Sequence, residues 1–155
     1  MVKIVLIIVA VLVVIFLLVL LGFELRTMQV ERDARQKQFA AGSLPSPLPD
    51  GFYTGVVNNY KGGWTGKTFD LAAQTGINNF KDGNKLYPFK FYTGPGVRDK
   101  KIQTLKIDYN QPANSWWIRH IVDEVVQTSP NHFLGKIHVR WAGLTFTIGY
   151  FTLAR

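Results

Sequence analysis

The stretch Trp116-Trp117-Ile118-Arg119-His120-Ile121-Val122-Asp123-Glu124-Val125 gathers more groups able to do chemistry than any other part of the chain. Read as a strand from Trp116 to Thr128, its period of two puts Arg119 and Asp123 on one face and His120 and Glu124 on the other. A histidine beside a carboxylate is a common arrangement for a general base. The same residues also suit cross-strand hydrogen bonding below a solvated outer face, which is the reading we adopt. His132 sits in a Ser-Pro-Asn-His turn, and His138 lies beside Arg140 on a polar strand face. No two histidines have zinc-like spacing. The run from Gly62 to Thr68 ends in Gly-Lys-Thr but lacks the spacing of a phosphate loop and the helix that must follow one. There is no Gly-x-Ser-x-Gly elbow. A chain with no cysteine also has no thiolate metal site and no cysteine nucleophile. We therefore expect no enzymatic activity, no cofactor and no bound metal.

The formal net charge is +8, with Arg98, Lys100, Lys101 and Lys106 as the densest basic cluster. Basic residues near a bilayer are each drawn to anionic headgroups by about 1 kcal/mol. Aromatic residues interleave with the basic ones, as in single-strand binding proteins, but a core this small needs those aromatics for itself. We expect the lipid bilayer or an acidic partner subunit as the counterpart, and no nucleic acid.

These groups are carried by two very different kinds of segment. From Ile4 to Phe23 run twenty residues without a charge. As a helix they extend about 30 Å, the thickness of a bilayer's hydrocarbon core. A cleaved signal peptide would have an apolar region of about 7–15 residues followed by small ones; here Glu24, Leu25 and Arg26 follow. We read residues 1–23 as a retained transmembrane helix and the chain as a single-pass membrane protein. Lys3 flanks the span on one side, and Arg26, Arg32, Arg35 and Lys37 on the other, which places the following domain in the cytoplasm. A short amino-terminal tail bearing a lysine argues for the opposite orientation. Residues 24–39 read as a helical stem, with Glu31 and Arg35 as a favourable i,i+4 pair, lifting the domain off the bilayer. Residues 40–50, with three prolines, read as a linker.

From residue 51 to 155, short aromatic and β-branched runs alternate with Gly, Asn, Asp and Pro. They predict strands at Gly51–Asn58, Trp64–Leu71, Gly76–Phe80, Leu86–Tyr92, Ile102–Tyr109, Trp116–Thr128, Phe133–Trp141 and Thr145–Ala154. Turn signals separate them, among them Asn58-Asn59 and Ser129-Pro130-Asn131. In the seventh strand Phe133, Gly135, Ile137, Val139 and Trp141 face the core, and Leu134, Lys136, His138 and Arg140 face water. Short loops favour hairpins, and closure removes unpaired edges, so the expected architecture is one transmembrane helix followed by an antiparallel up-and-down β-barrel of about eight strands. The segments Gly51-Phe-Tyr-Thr-Gly55 and Gly62-Gly-Trp-Thr-Gly66 echo one another, and their glycines predict bends or bulges.

Those residues resemble two families. A Gly-x-Trp on the first strand, with a basic residue at the end of the last strand packing over the Trp, marks the calycin group of lipocalin-like barrels. Gly62-Gly63-Trp64, or Gly51-Phe52-Tyr53, stands in for the first part and Arg155 for the second. The run Gly62-Gly63-Trp64-Thr65-Gly66-Lys67-Thr68-Phe69 is also similar to bacterial GXWXG-type domains of unknown function. The calycin resemblance implies an apolar small molecule held inside the barrel. The sequence thus supports two functions: a membrane-anchored, non-catalytic module binding a hydrophobic small molecule or lipid through Tyr53, Trp64, Tyr92, Trp116 and Arg119, or an accessory subunit in a complex with other membrane protein subunits.

Overall fold

The computed structural model describes residues 1–57 and 62–155. The predicted Asn58-Asn59 turn lies outside the described residues. Helix α1 (Val2–Glu31) is continuous through the uncharged run, and it is the one described helix long and apolar enough to cross a membrane. It ends where Asp33 takes over as the N-cap of α2 (Ala34–Ala41), its carboxylate accepting from the Arg35 backbone N–H at 2.9 Å. The expected Glu31–Arg35 pair is therefore not made. Arg35 turns back to Asp33 at 2.7 Å, and Glu31 pairs with Arg98 at 2.6 Å.

Eight strands follow: β1 (Gly51–Val56), β2 (Trp64–Asp70), β3 (Thr75–Phe80), β4 (Lys85–Pro95), β5 (Gln103–Asp108), β6 (Ile121–Ser129), β7 (His132–Trp141) and β8 (Leu144–Ala154). They pair in sequence order, antiparallel, and close into a barrel. The one large departure from expectation is at the sixth strand. Trp116 to His120 are loop and a short 3-10 turn, held in place by buried Asn114, whose amide donates to the carbonyls of Pro88 and Tyr109.

The interior is filled from one end by aromatic rings: Tyr53, Phe69, Phe89, Phe91 and Phe133 meet edge to face, the geometry their ring quadrupoles prefer. Arg155 lies over the ring of Tyr53, 5.7 Å from its centroid, and not over Trp64. The echoed glycine segments interlock. The Trp64 ring lies where a Cβ on Gly55 would stand, and the Tyr53 carbonyl lies where one on Gly66 would stand. Gly66 has φ +147 and sits at the bulge in the β2–β3 pairing. Only a residue without a side chain fits there.

The stem does not lift the barrel clear. Thr27, Val30 and Phe39 are buried against it, with Val126, Leu134 and Tyr150. The outer face of β7, expected in water, is covered by the two helices and the β4–β5 loop, so Lys136 and His138 have no exposure. The cause lies in the barrel's closure. β1 meets β8 through Thr54, Gly55 and Val56. Further along β8, α1 supplies the partners: Thr27 Oγ1 accepts from the Thr147 N–H at 2.9 Å, and Arg26 Nε donates to the Ile148 carbonyl at 3.1 Å. A helix laid on an open strand edge satisfies groups that would otherwise invite another chain.

Candidate functional site

Inside the barrel is a cavity of about 190 Å³. Its walls are apolar: Trp64, Phe80, Tyr87, Ile118, Ile121 and Phe151. Its lining residues cluster toward the barrel end that carries the β3–β4, β5–β6 and β7–β8 connections, because β3 and β5 finish there while β4 and β6 start there. Val57 and Ile137 also line a second hollow of about 310 Å³ between α1 and β8, so the two spaces abut beside the helix.

The polar floor is built by four strands. Lys67 on β2 points inward and meets Asp123 on β6 at 3.2 Å, with both side chains buried. Its ammonium also donates to Asn78 Oδ1 at 2.9 Å and to the Tyr109 hydroxyl. Tyr109 in turn donates to Asp123 at 3.1 Å. The Trp64 indole N–H donates to Asn78 Oδ1 at 2.9 Å, and the Asn78 amide donates to the Tyr87 carbonyl. The rings of Trp64, Phe89, Tyr109 and Phe151 surround the ammonium, with centroids 5.0–5.4 Å away. A cation in such a setting is attracted by the ring faces.

Burial dominates the electrostatics here. It pushes the Lys67 ammonium below the usual lysine range, a shift that the Asp123 charge opposes. It pushes Asp123 up, against the pull of Lys67, and it raises Tyr109 well above an ordinary phenol, with the Asp123 charge adding to the effect. The pair carries no net charge. Each buried side-chain nitrogen and oxygen among the described residues has a partner, so the floor is complete before anything enters.

A second polar cluster lies on the outer wall, under the helices. Glu124 accepts from the Val97 backbone N–H at 2.6 Å, from Lys106, and from His138 Nε2 at 3.1 Å. The other nitrogen of His138 meets Thr147 Oγ1 at 3.1 Å, and the Thr147 backbone meets Thr27 of α1. Burial raises the Glu124 carboxyl, but hydrogen bonds from His138 and Lys106 outweigh it and leave the pKa at about 2. The cluster fastens loop, barrel and helix together.

The sequence pairing of His120 with Glu124 is corrected accordingly. His120 lies in the 3-10 turn beside Trp116, and His138 meets the carboxylate in its place. Arg119 likewise parts from Asp123: it is exposed and donates to Asn110 at 2.9 Å. Of the five residues expected to contact a ligand, Trp64 lines the cavity. Tyr53 is buried in the aromatic plug, and Tyr92 is exposed. Trp116 and Arg119 share a shallow groove outside, with Asn110, His120 and Arg140. Sequence reasoning missed Lys67, Asn78, Tyr109 and the inward turn of Asp123. One signal was present for His138: folding the chain at the Ser129-Pro130-Asn131 turn sets Glu124 opposite Lys136 and His138 opposite Val122. Two of the four residues of the basic cluster are paired within the chain, Arg98 with Glu31 and Lys106 with Glu124.

No protein-family model and no curated protein matches the chain. A crystal structure of a protein from Thermomonospora curvata is similar at 14% identity, over 74% of this chain and 79% of that one, with a TM-score of 0.48. At that level the likeness says nothing about what this chain does.

Proposed function

We propose that this chain is a membrane-tethered, non-catalytic barrel that holds a small, neutral, apolar molecule. The observation that carries the reading is the apolar cavity over the Lys67–Asp123 floor. A dry cavity of roughly 150 Å³ takes a benzene ring, so this one suits a ring or a prenyl-sized group, with any longer tail extending toward the hollow beside α1. The floor favours a neutral ligand. Lys67 is already matched by Asp123, and a ligand carboxylate would bring an unmatched charge into a desolvated site. The resemblance to lipocalin-like barrels points the same way, with Arg155 over Tyr53 in the role expected of the last strand's basic residue. Its resemblance to GXWXG-type domains adds no ligand. The excess of Lys and Arg beyond α1 favours a cytoplasmic barrel.

The test uses the full chain in mild detergent and the fluorescence of Trp64. An isoprenoid alcohol should change the emission saturably, a fatty acid should do so weakly, and the Trp64→Phe variant should lose the response. A flat titration with the alcohol would refute the binding role. Recovery of the chain in a stoichiometric assembly with larger membrane subunits would assign it the accessory role instead.

A further inference from the structure

The barrel end nearest the apolar part of α1 carries exposed apolar side chains, among them Trp116, which is 74% exposed, Trp117 at 53% and Leu144 at 49%. Leu144 closes the β7–β8 hairpin, whose tip, Trp141-Ala142-Gly143-Leu144, has no charged or hydrogen-bonding side chain other than the indole. The Trp141 ring meets Phe16 at 5.6 Å and Phe23 at 6.0 Å, and Phe146 stacks on Phe23 at 5.2 Å. Phe16 lies seven residues inside the end of the uncharged run, about 10 Å along the helix axis. The hairpin tip is therefore held alongside helix that is itself long and apolar enough to lie in hydrocarbon. The ladder of its own strands runs up to the Trp141–Leu144 pair, so the backbone groups outside it belong to the two turn residues, Ala142 and Gly143, few enough to stay within reach of the headgroup layer. Trp116 and Trp117 continue the patch, because His120 and Arg140 line both the groove under Trp116 and the hollow behind the tip. Around this rim Lys81, Lys85, Arg119 and Arg140 outnumber Asp82 and Asp108. Arg140 is paired with Asp108 at 2.8 Å, whereas among the described residues Arg119 donates to the neutral Asn110 and makes no ion pair.

We propose that the β7–β8 tip, together with Trp116 and Trp117, inserts into the same bilayer that α1 crosses, with Arg119 at the level of anionic lipid phosphates. Tryptophan suits this depth because the indole has an apolar body and one N–H donor. The barrel then sits in the lipid surface with its cavity end toward the membrane. The proposal rests on α1 spanning the bilayer and is independent of what the cavity holds.

The chain has no cysteine, so single nitroxide labels can be placed without removing native thiols. The full chain is reconstituted into phosphatidylcholine vesicles containing a quarter phosphatidylglycerol. Labels are placed at Leu144→Cys and Trp117→Cys, with Leu12→Cys as the mid-span control and Asn131→Cys as the control on the exposed opposite turn. Collision with oxygen is compared with collision with a water-soluble nickel complex. Labels at 144 and 117 should favour oxygen, as at 12, while the label at 131 should favour nickel. Nickel access at 144 and 117 equal to that at 131 would overturn the proposal. So would shielding from both reagents, which would assign the patch to a protein partner. Nickel access at 12 would instead remove the span itself. Arg119→Glu should lower the oxygen-to-nickel ratio at 117 several-fold, and an unchanged ratio would overturn the role given to the phosphates.

Discussion

The Lys67–Asp123 pair offers the most direct test of how the barrel interior is held. Both side chains are buried, 3.2 Å apart, in a shell of aromatic rings. Replacing Asp123 with Asn keeps the shape and removes the charge that matches Lys67. Breaking a buried pair on one side costs about 3–5 kcal/mol. For a barrel of this size that is a fall in Tm of at least about 12 °C, read by circular dichroism of the full chain in detergent. Lys67→Met alone strands Asp123 and should cost a similar amount. The double variant leaves no buried charge, and its loss should be well below the sum of the two, with a coupling of about 2 kcal/mol or more. There is a further signature in pH. Burial already holds the Lys67 ammonium low, and without Asp123 it drops further. A group whose folded pKa is depressed below its unfolded value in this way costs stability while protonated and ceases to do so once neutral. The deficit of Asp123→Asn should therefore narrow as the pH rises from neutral toward 10. Strict additivity of the two single variants would refute this account of the pair, and so would a deficit that does not change with pH.

The outer cluster makes a prediction of the same sign in the acid range. Glu124 falls from 4.5 to about 2 on folding, a shift worth about 3 kcal/mol. That contribution is complete above pH 4.5 and is lost as the pH falls toward 2. Hydrogen exchange at the Thr147 amide should accelerate through that window, and Glu124→Gln should flatten the dependence. Phe39→Ala empties a fully buried site between α2 and the barrel; a loss of about 3–5 kcal/mol is expected, measured by thermal unfolding, and a loss below 1 kcal/mol would mean that the stem is not docked. Gly66→Ala sets a Cβ against the Tyr53 carbonyl and should cost more than the roughly 1–3 kcal/mol of ordinary overpacking. Gly63→Ala, at φ +75 with Lys81 Cβ at 4.0 Å as its nearest neighbour, gives the cost of left-handed backbone without a collision.

Most of the strand positions were legible because the domain's turns announce themselves. Pro130 and Asn131 mark the β6–β7 turn, and Asp82-Gly83-Asn84 the β3–β4 turn, where the Asn84 N–H donates to Asp82. The exception, Trp116 to His120, has the aromatic and β-branched composition of a strand, but buried Asn114 satisfies two carbonyls and holds the chain in a loop. Alternation along β7 correctly separated two faces and wrongly assigned one to water, because a period of two reports sidedness and not what lies on the other side. Lys136 looked like a solvated lysine, yet it is covered by α2 and reaches Asp99 at 2.7 Å over the Phe39 ring.

By itself, then, the order of residues determined a helix able to span lipid and an antiparallel barrel of eight strands, because both follow from local periodicity and local turn chemistry. Only the folded chain decided where the charges went. Lys67 and Asp123 are far apart in sequence, and neither carries a sign that it turns inward. Barrel closure and the bulge at Gly66 bring them together, and these depend on contacts between distant strands that no local pattern encodes.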